Sequence, residues 1–270
     1  MSNTTAGSLW LAADYHFPLT YSCRVPMTNM SIATASPAPG PATIRLALVR
    51  TAIEIFPMAY VRDTLFPVIR SASIRVRPPE RVALSSHVLH ARKESLPKPV
   101  AATTSGSAYI IGTPICREFA HANSPMTIYI DVPNAYCEAV SRTLAVIGYW
   151  GRTDSFAQCL SVGNHEPIIE ECGIPLAAVD NTYPVRGFLT SLVTEFHDTQ
   201  VRWEDIMPVL SQQRDAIRID IYIWPMQLVG RYGDSRMFAR RSFMPRVRRD
   251  QPERADSAHR KQLNGTRISH

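Results

Sequence analysis

The sequence predicts an α+β protein: a ferredoxin-like βαββαβ domain followed by a smaller β-rich part. Three observations lead there. Apolar stripes at helical spacing run over 41–56 and 134–148, each flanked by strand-like segments. The interval 90–113 between the middle strands has no periodicity and is rich in Pro, Ser, Thr, Gly and Lys. Past residue 163 the clearest runs, 187–196 and 217–230, are strand-like. In a ferredoxin-like arrangement the helices cover one face of a four-stranded sheet and the other face stays open.

The first strand is expected within 8–25, broken near Pro18, on its aromatic and β-branched content. A loop of small residues and prolines follows and runs into a helix at Pro41. Proline suits the first helical turn, where its missing N–H has no intrahelical partner. Ile44, Ala47, Leu48, Ala52 and Ile55 form the apolar stripe, and Pro57 ends the helix. The loop before it is either a rigid connector or a cradle for an anion, since free N–H groups and the helix dipole favour phosphate there.

Residues 69–77 read as the second strand, with Ile74 and Val76 on one face and Arg75 and Arg77 on the other. Beyond Pro78 and Pro79, "RVALSSHVL" extends it. The stretch 90–113 is a flexible loop or the tip of an extended hairpin. "ICREFA" and 126–132 return to strand character. The second helix follows, with Tyr136, Val140, Leu144 and Ile147 on one side and Gly148 as its cap, and then a strand at 155–162. "VRWEDIMPVLSQQ" is ambiguous between helix and strand. The expected divisions are therefore 1–163, 164–245 and a polar basic tail over 246–270.

A chain of 270 residues with 45% hydrophobic content suits one large domain or two small ones. No apolar run is long enough to span a bilayer, and "MSNTTAGSLW" lacks the regions of a signal peptide. Cys23, Cys116, Cys137, Cys159 and Cys172 are scattered and odd in number, as expected of reduced thiols in a cytoplasmic protein. No cofactor or metal site is expected: His165–Glu166 is not followed by a second histidine at metal-binding spacing. The net charge of +6 is concentrated at the end, because 231–270 nets +7 and the remainder −1. That tail either touches nucleic acid or is solvated surface.

The order of elements resembles that of RNA-recognition motifs (RRM-like), although no RNP-type run occurs. More specifically, "SPAPGPATIRLALVRTAIEIF", "TPICREFAHANSPMTIYIDVP" and "AVIGYWGRTDSFAQCLSV", in this order, resemble the Cas-five family of CRISPR-associated proteins in the RAMP superfamily. The resemblance covers about 8–163. It implies a Cascade subunit that caps the crRNA 5′ handle. It makes the excursion at about 85–115 a "thumb" hairpin over the handle. It also has the loop at 33–41, with Ser36 and Gly40, lining the handle's path. The implied partners are backbone subunits of the Cas-seven family and the large Cascade subunit, with target DNA contacted indirectly and no membrane.

Arg24, Arg45, Arg75, Arg77, Arg92, Lys93, Lys98, Arg117 and Arg152 are the expected RNA contacts, because guanidinium binds phosphate through paired hydrogen bonds. Solvated surface or intrachain pairing is the alternative for each, and for Arg45 that means an unidentified carboxylate. Arg75 and Arg77 count only if their sheet face is open. Arg117 has Glu118's surroundings as its other option. Tyr149 and Trp150 either stack on a base or pack in the core. No catalytic residue is expected. His87, His90, Lys93 and Tyr109 form the alternative set, since some relatives are metal-independent ribonucleases and acid–base cleavage of RNA suits such side chains.

Overall fold

β1, Ser8–His16, shows why one strand can serve two layers. Leu11, Ala13 and Tyr15 point to one side and are buried, and Ala12 on the other side is buried too. In the computed structural model, which describes residues 7–27, 32–94, 110–179, 186–196, 201–206 and 217–242, thirteen strands and five short or long α-helices follow in turn. β2 (Cys23–Arg24), β3 (Ile32–Ala33) and β4 (Ala35–Ser36) are two-residue strands. α1 (Pro41–Ile55) starts where the proline predicts, one residue after an extended Gly40.

Proline punctuation hides the next stretch. α2 (Met58–Tyr60), a π-helical turn at Val61–Leu65, and α3 (Phe66–Ser71) run on from Pro57. The residues 69–71 expected at the start of the second strand belong to α3, and β5 is only Ile74–Arg77. β6 (Arg81–Glu94) and β7 (Ile110–Ala122) form a long antiparallel hairpin, paired from Val82–Ala122 to Glu94–Ile110. β8 (Met126–Pro133), a 3₁₀ turn at Asn134–Tyr136, and α4 (Cys137–Val146) come next. Gly148 is not a left-handed cap; among the described glycines the left-handed positions are Gly151, Gly187 and Gly233. The remaining elements are β9 (Gln158–Asn164), β10 (Ile174–Pro175), β11 (Phe188–Phe196), α5 (Trp203–Ile206), β12 (Ile217–Tyr232) and β13 (Ser235–Arg240).

Two sheets carry the fold. In the first, the order is β5-β8-β1-β9 with every neighbouring pair antiparallel. α4 packs on it, with the Tyr15 hydroxyl donating to the Leu144 carbonyl at 2.6 Å. The second sheet runs β10-β12-β13-β6-β7-β3, with β11 on β12. The expected β-rich C-terminal part is thus not a sheet of its own, because β13 pairs directly with hairpin strand β6.

α1 lies between the two. Its apolar stripe (Ile44, Ala47, Leu48, Ala52) is buried, and so are Arg45, Val49 and Thr51, which a single-faced helix would expose. One core cluster joins Leu48 and Ile130 of the first layer to Trp224 and Phe238 of the second. Each fully buried large aliphatic side chain in it contributes about 1.5–3 kcal/mol.

The helix-free face of the first sheet is not open at its centre. Ala12 and Tyr129 are buried there under Cys172, with Trp10 at their side. The Gly173 N–H donates to the Val76 carbonyl at 2.8 Å, so the segment 169–173 is sewn onto the β5 edge. A Cβ at Gly173 would stand 2.6 Å from the Trp224 ring, which is why a glycine is needed in this covering segment. Among the described residues no helix is long and apolar enough to cross a membrane.

Candidate nucleic-acid interface

The site begins with a hub in β7. Glu118 is 4% exposed, so its carboxylate needs partners. One oxygen accepts the Ala35 N–H at 2.8 Å and the other pairs with Arg236 at 2.5 Å. The Ser22 hydroxyl donates to the Glu118 carbonyl at 3.1 Å, and Tyr21 and Ala120 exchange backbone bonds at 2.9 and 2.7 Å. The Tyr21 hydroxyl then donates to the Pro37 carbonyl at 2.7 Å. The Pro-rich loop is thereby held against the hairpin rather than free. It also settles Glu118's partner as Arg236, leaving Arg117 on the opposite side of the strand.

That loop delivers the N-terminus of α1. N-cap Gly40 offers no side-chain cap, no acidic residue lies in the first turn, and Pro41 has no N–H to place there. The Ala42 and Thr43 amides therefore have no intrahelical acceptor. Gly40 is required by packing: a Cβ would lie 2.9 Å from Val193 Cβ and 3.1 Å from the Thr194 carbonyl. The turn Trp150–Ser155 closes the other side, with Gly151 at φ +73° and the Ser155 hydroxyl accepting the Ser22 N–H at 3.0 Å.

Between these walls is a cavity of about 140 Å³ lined by Arg24, Ser36, Gly40, Thr43, Trp150 and Arg152 among others. It is smaller than the roughly 300–1,000 Å³ that drug-sized ligands occupy, and suits a phosphate more than a nucleotide. Arg152 chelates Asp154 at 2.9 Å. Arg117 is within electrostatic reach of Arg152, Asp154 and Arg24. Its pKa is held below the ordinary arginine value, first by burial and then by the Arg152 and Arg24 charges, with Asp154 acting the other way. An arginine keeps its proton regardless, so the direction reports desolvation first, and the smaller Arg152 and Arg24 contributions say only that those two charges are close by.

Five sequence candidates, Arg24, Ser36, Gly40, Trp150 and Arg152, therefore line one cavity, with Arg117 within reach of its arginines' charges. Others go elsewhere. Arg45 is buried and pairs through Nη1 with Glu195, while Nη2 donates to the Ala72 carbonyl at 2.8 Å. Burial pushes the Glu195 carboxyl up and Arg45 opposes it. Arg45 is thus a tie between α1 and β11, turned away from any ligand. Trp150 is fully buried, edge-on to Tyr15 at 4.8 Å, and has no free face for a base. Tyr149 has the Arg50 guanidinium 3.6 Å above its ring.

Arg75 and Arg77 lie on the covered face. Arg77 Nε is 2.5 Å from Glu171 Oε2, a contact of charge more than of aligned hydrogen bonding, and Arg240 reaches the same oxygen at 3.6 Å. His87 is exposed on β6, with His90, Arg92 and Lys93 further along that strand's backbone. The side chains of 90–94 and 110–113, and Lys98 and Tyr109 entirely, lie outside the described residues. Sequence reasoning missed Phe119 and His121. The alternation in "CREFAHA" was the available signal, since Arg117, Phe119 and His121 share one face of β7. Among the described residues no group of three His, Cys, Asp or Glu side chains is placed to hold a metal.

No family model matches the chain. A relative from Archaeoglobus fulgidus, named CRISPR-associated protein Cas5, is 28% identical over 163 residues, spanning 58% of this chain and 67% of the relative. Over that span the chain is similar to a Cas5 protein. Two solved structures overlap this chain loosely. One is a CRISPR protein from Archaeoglobus fulgidus (13% identity, 87% of this chain and 92% of that one, TM-score 0.42). The other is a chain of a CRISPR RNA-guided surveillance complex (16% identity, 80% and 88%, TM-score 0.38).

Proposed function

We propose that this chain is a Cas5-type, non-catalytic RNA-binding subunit of a type I CRISPR Cascade complex, capping the crRNA 5′ handle and contacting the Cas-seven-type backbone and the large subunit. The observation that carries the reading is that Arg24 and Arg152 line the cavity at the uncapped start of α1, with Arg117 within reach of their charges. Helix amides and guanidinium groups aimed at one small volume bind a phosphate strongly and specify no base. In this reading β1, α1, β5, β8, α4 and β9 are a ferredoxin-like domain, supported by the strand order and its antiparallel pairing. The β6–β7 hairpin is the thumb.

Coexpression with its neighbouring subunits tests this. A small RNA of fixed 5′ end should copurify with the complex, and be lost when Arg24, Arg117 and Arg152 are all replaced by Ala. A complex that assembles without RNA would refute it. Purified chain incubated with repeat RNA in EDTA should leave the RNA intact. A specific cut abolished by His87→Ala would show a processing ribonuclease instead.

A further inference from the structure

We propose that the outward face of the β6–β7 hairpin is a stacking platform for unpaired nucleobases, centred on His87 and Phe119. The proposal rests on the RNA-binding reading above and names the part of the strand that this surface takes. The hairpin has two unlike faces. Leu84, Glu118, Ala120 and Ala122 point inward and are buried. Ser85, His87, Leu89, Ile115, Arg117, Phe119 and His121 point the other way, as cross-strand partners or diagonal neighbours. None of these seven is buried, and none is a carboxylate.

Within that face the His87 and Phe119 rings stand 5.7 Å apart at 68°, edge to face. Arg117 is the direct cross-strand partner of His87. It also lies within electrostatic reach of Arg152 and Arg24, two residues that line the cavity. Cation and ring are thus adjacent, and the cation lies near two arginines of the phosphate-sized cavity. A single strand whose phosphate enters the cavity would present its next bases to the rings.

The chemistry selects one occupant. An exposed His87 ring and a half-buried Phe119 ring beside one guanidinium suit the alternating bases and phosphates of single-stranded RNA. The face offers few fixed donors and acceptors for base edges, so it binds through stacking and tolerates sequence. A duplex already stacks its bases on each other and would meet the rings with its backbone.

The test compares a short single-stranded oligoribonucleotide with an abasic strand of the same length and phosphate count, each titrated into the full chain by fluorescence anisotropy. The base-containing strand should bind about tenfold more tightly, the scale of one stacked base. In His87→Ala with Phe119→Leu that ratio should fall to about one. Leu keeps the apolar volume at half-buried Phe119, and exposed His87→Ala alone, expected to give an intermediate ratio, keeps the test decisive if the double variant does not fold. A ratio unchanged in both variants, or wild-type chain binding both strands equally, overturns the platform while leaving the RNA reading intact. Binding to neither strand overturns both.

Discussion

Two arginine-bearing sheet faces meet opposite fates in this molecule. On the helix-free face of the first sheet, Arg75 and Arg77 lie beside a covering segment, and Glu171 clamps Arg77 and Arg240 together. On the outward face of the hairpin, Arg117 lies among half-buried and exposed residues, with Arg24 and Arg152 as its cationic neighbours. Both strands alternate in the same way, so alternation alone does not say which face receives a ligand. What separates them is where the chain's own carboxylates go. Glu171 and Glu195 are spent on covered arginines, while at the cavity Asp154 is held by Arg152, with Arg117 nearby.

The largest effect expected from breaking this contrast is at the covered extreme. Arg45→Met should cost about 3–5 kcal/mol in denaturant unfolding, because Glu195 is left buried without its partner. Adding Glu195→Gln should recover much of that loss. A cost below about 1 kcal/mol would contradict the buried-pair account.

At the open extreme, replacing Arg24, Arg117 and Arg152 together by Ala should weaken single-stranded RNA binding by roughly a hundredfold at moderate salt. The slope of log affinity against log salt should flatten by about two. Stability should move far less than in Arg45→Met. Equal losses of stability and affinity would mean these are structural arginines as well.

Gly173→Ala sharpens the comparison by lifting the cover, at about 1–3 kcal/mol for a Cβ pressed against Trp224. Cys172 reports the result. It is fully buried and burial pushes its thiol up to about 12, so it should resist alkylation in the native chain and react in the variant. The smallest effect is expected from Arg77→Gln: about 1 kcal/mol of stability and unchanged RNA affinity, measured in the same titration. A clear loss of RNA binding there would show that the covered face takes part after all.

Much of this was legible from the chain. The start of α1 follows from Gly40–Pro41, and the strands bordering the hairpin follow from their β-branched and alternating residues. Residues 58–71 were not legible as helical, because Pro57 and Pro67 interrupt the pattern although Pro67 stands in the first turn of α3. The cover at 169–173 has no periodicity to read. At the candidate site, the loop and its arginines could be named. Arg45's fate could not, since Glu195 lies 150 positions away. Nor could Trp150's, since its neighbour Tyr15 comes from the first strand.

The pairing of β6 with both β7 and β13 has a mechanical consequence. A hairpin attached only at its base could swing like a door. This one is welded along about the lower third of β6, from Arg81 to Ser85, to a strand anchored in the body of the protein. Tilting it would require unzipping β13, so the angle between the ring-bearing surface and the mouth of the cavity is built in, and the protein works as a fixed gauge rather than a closing hand.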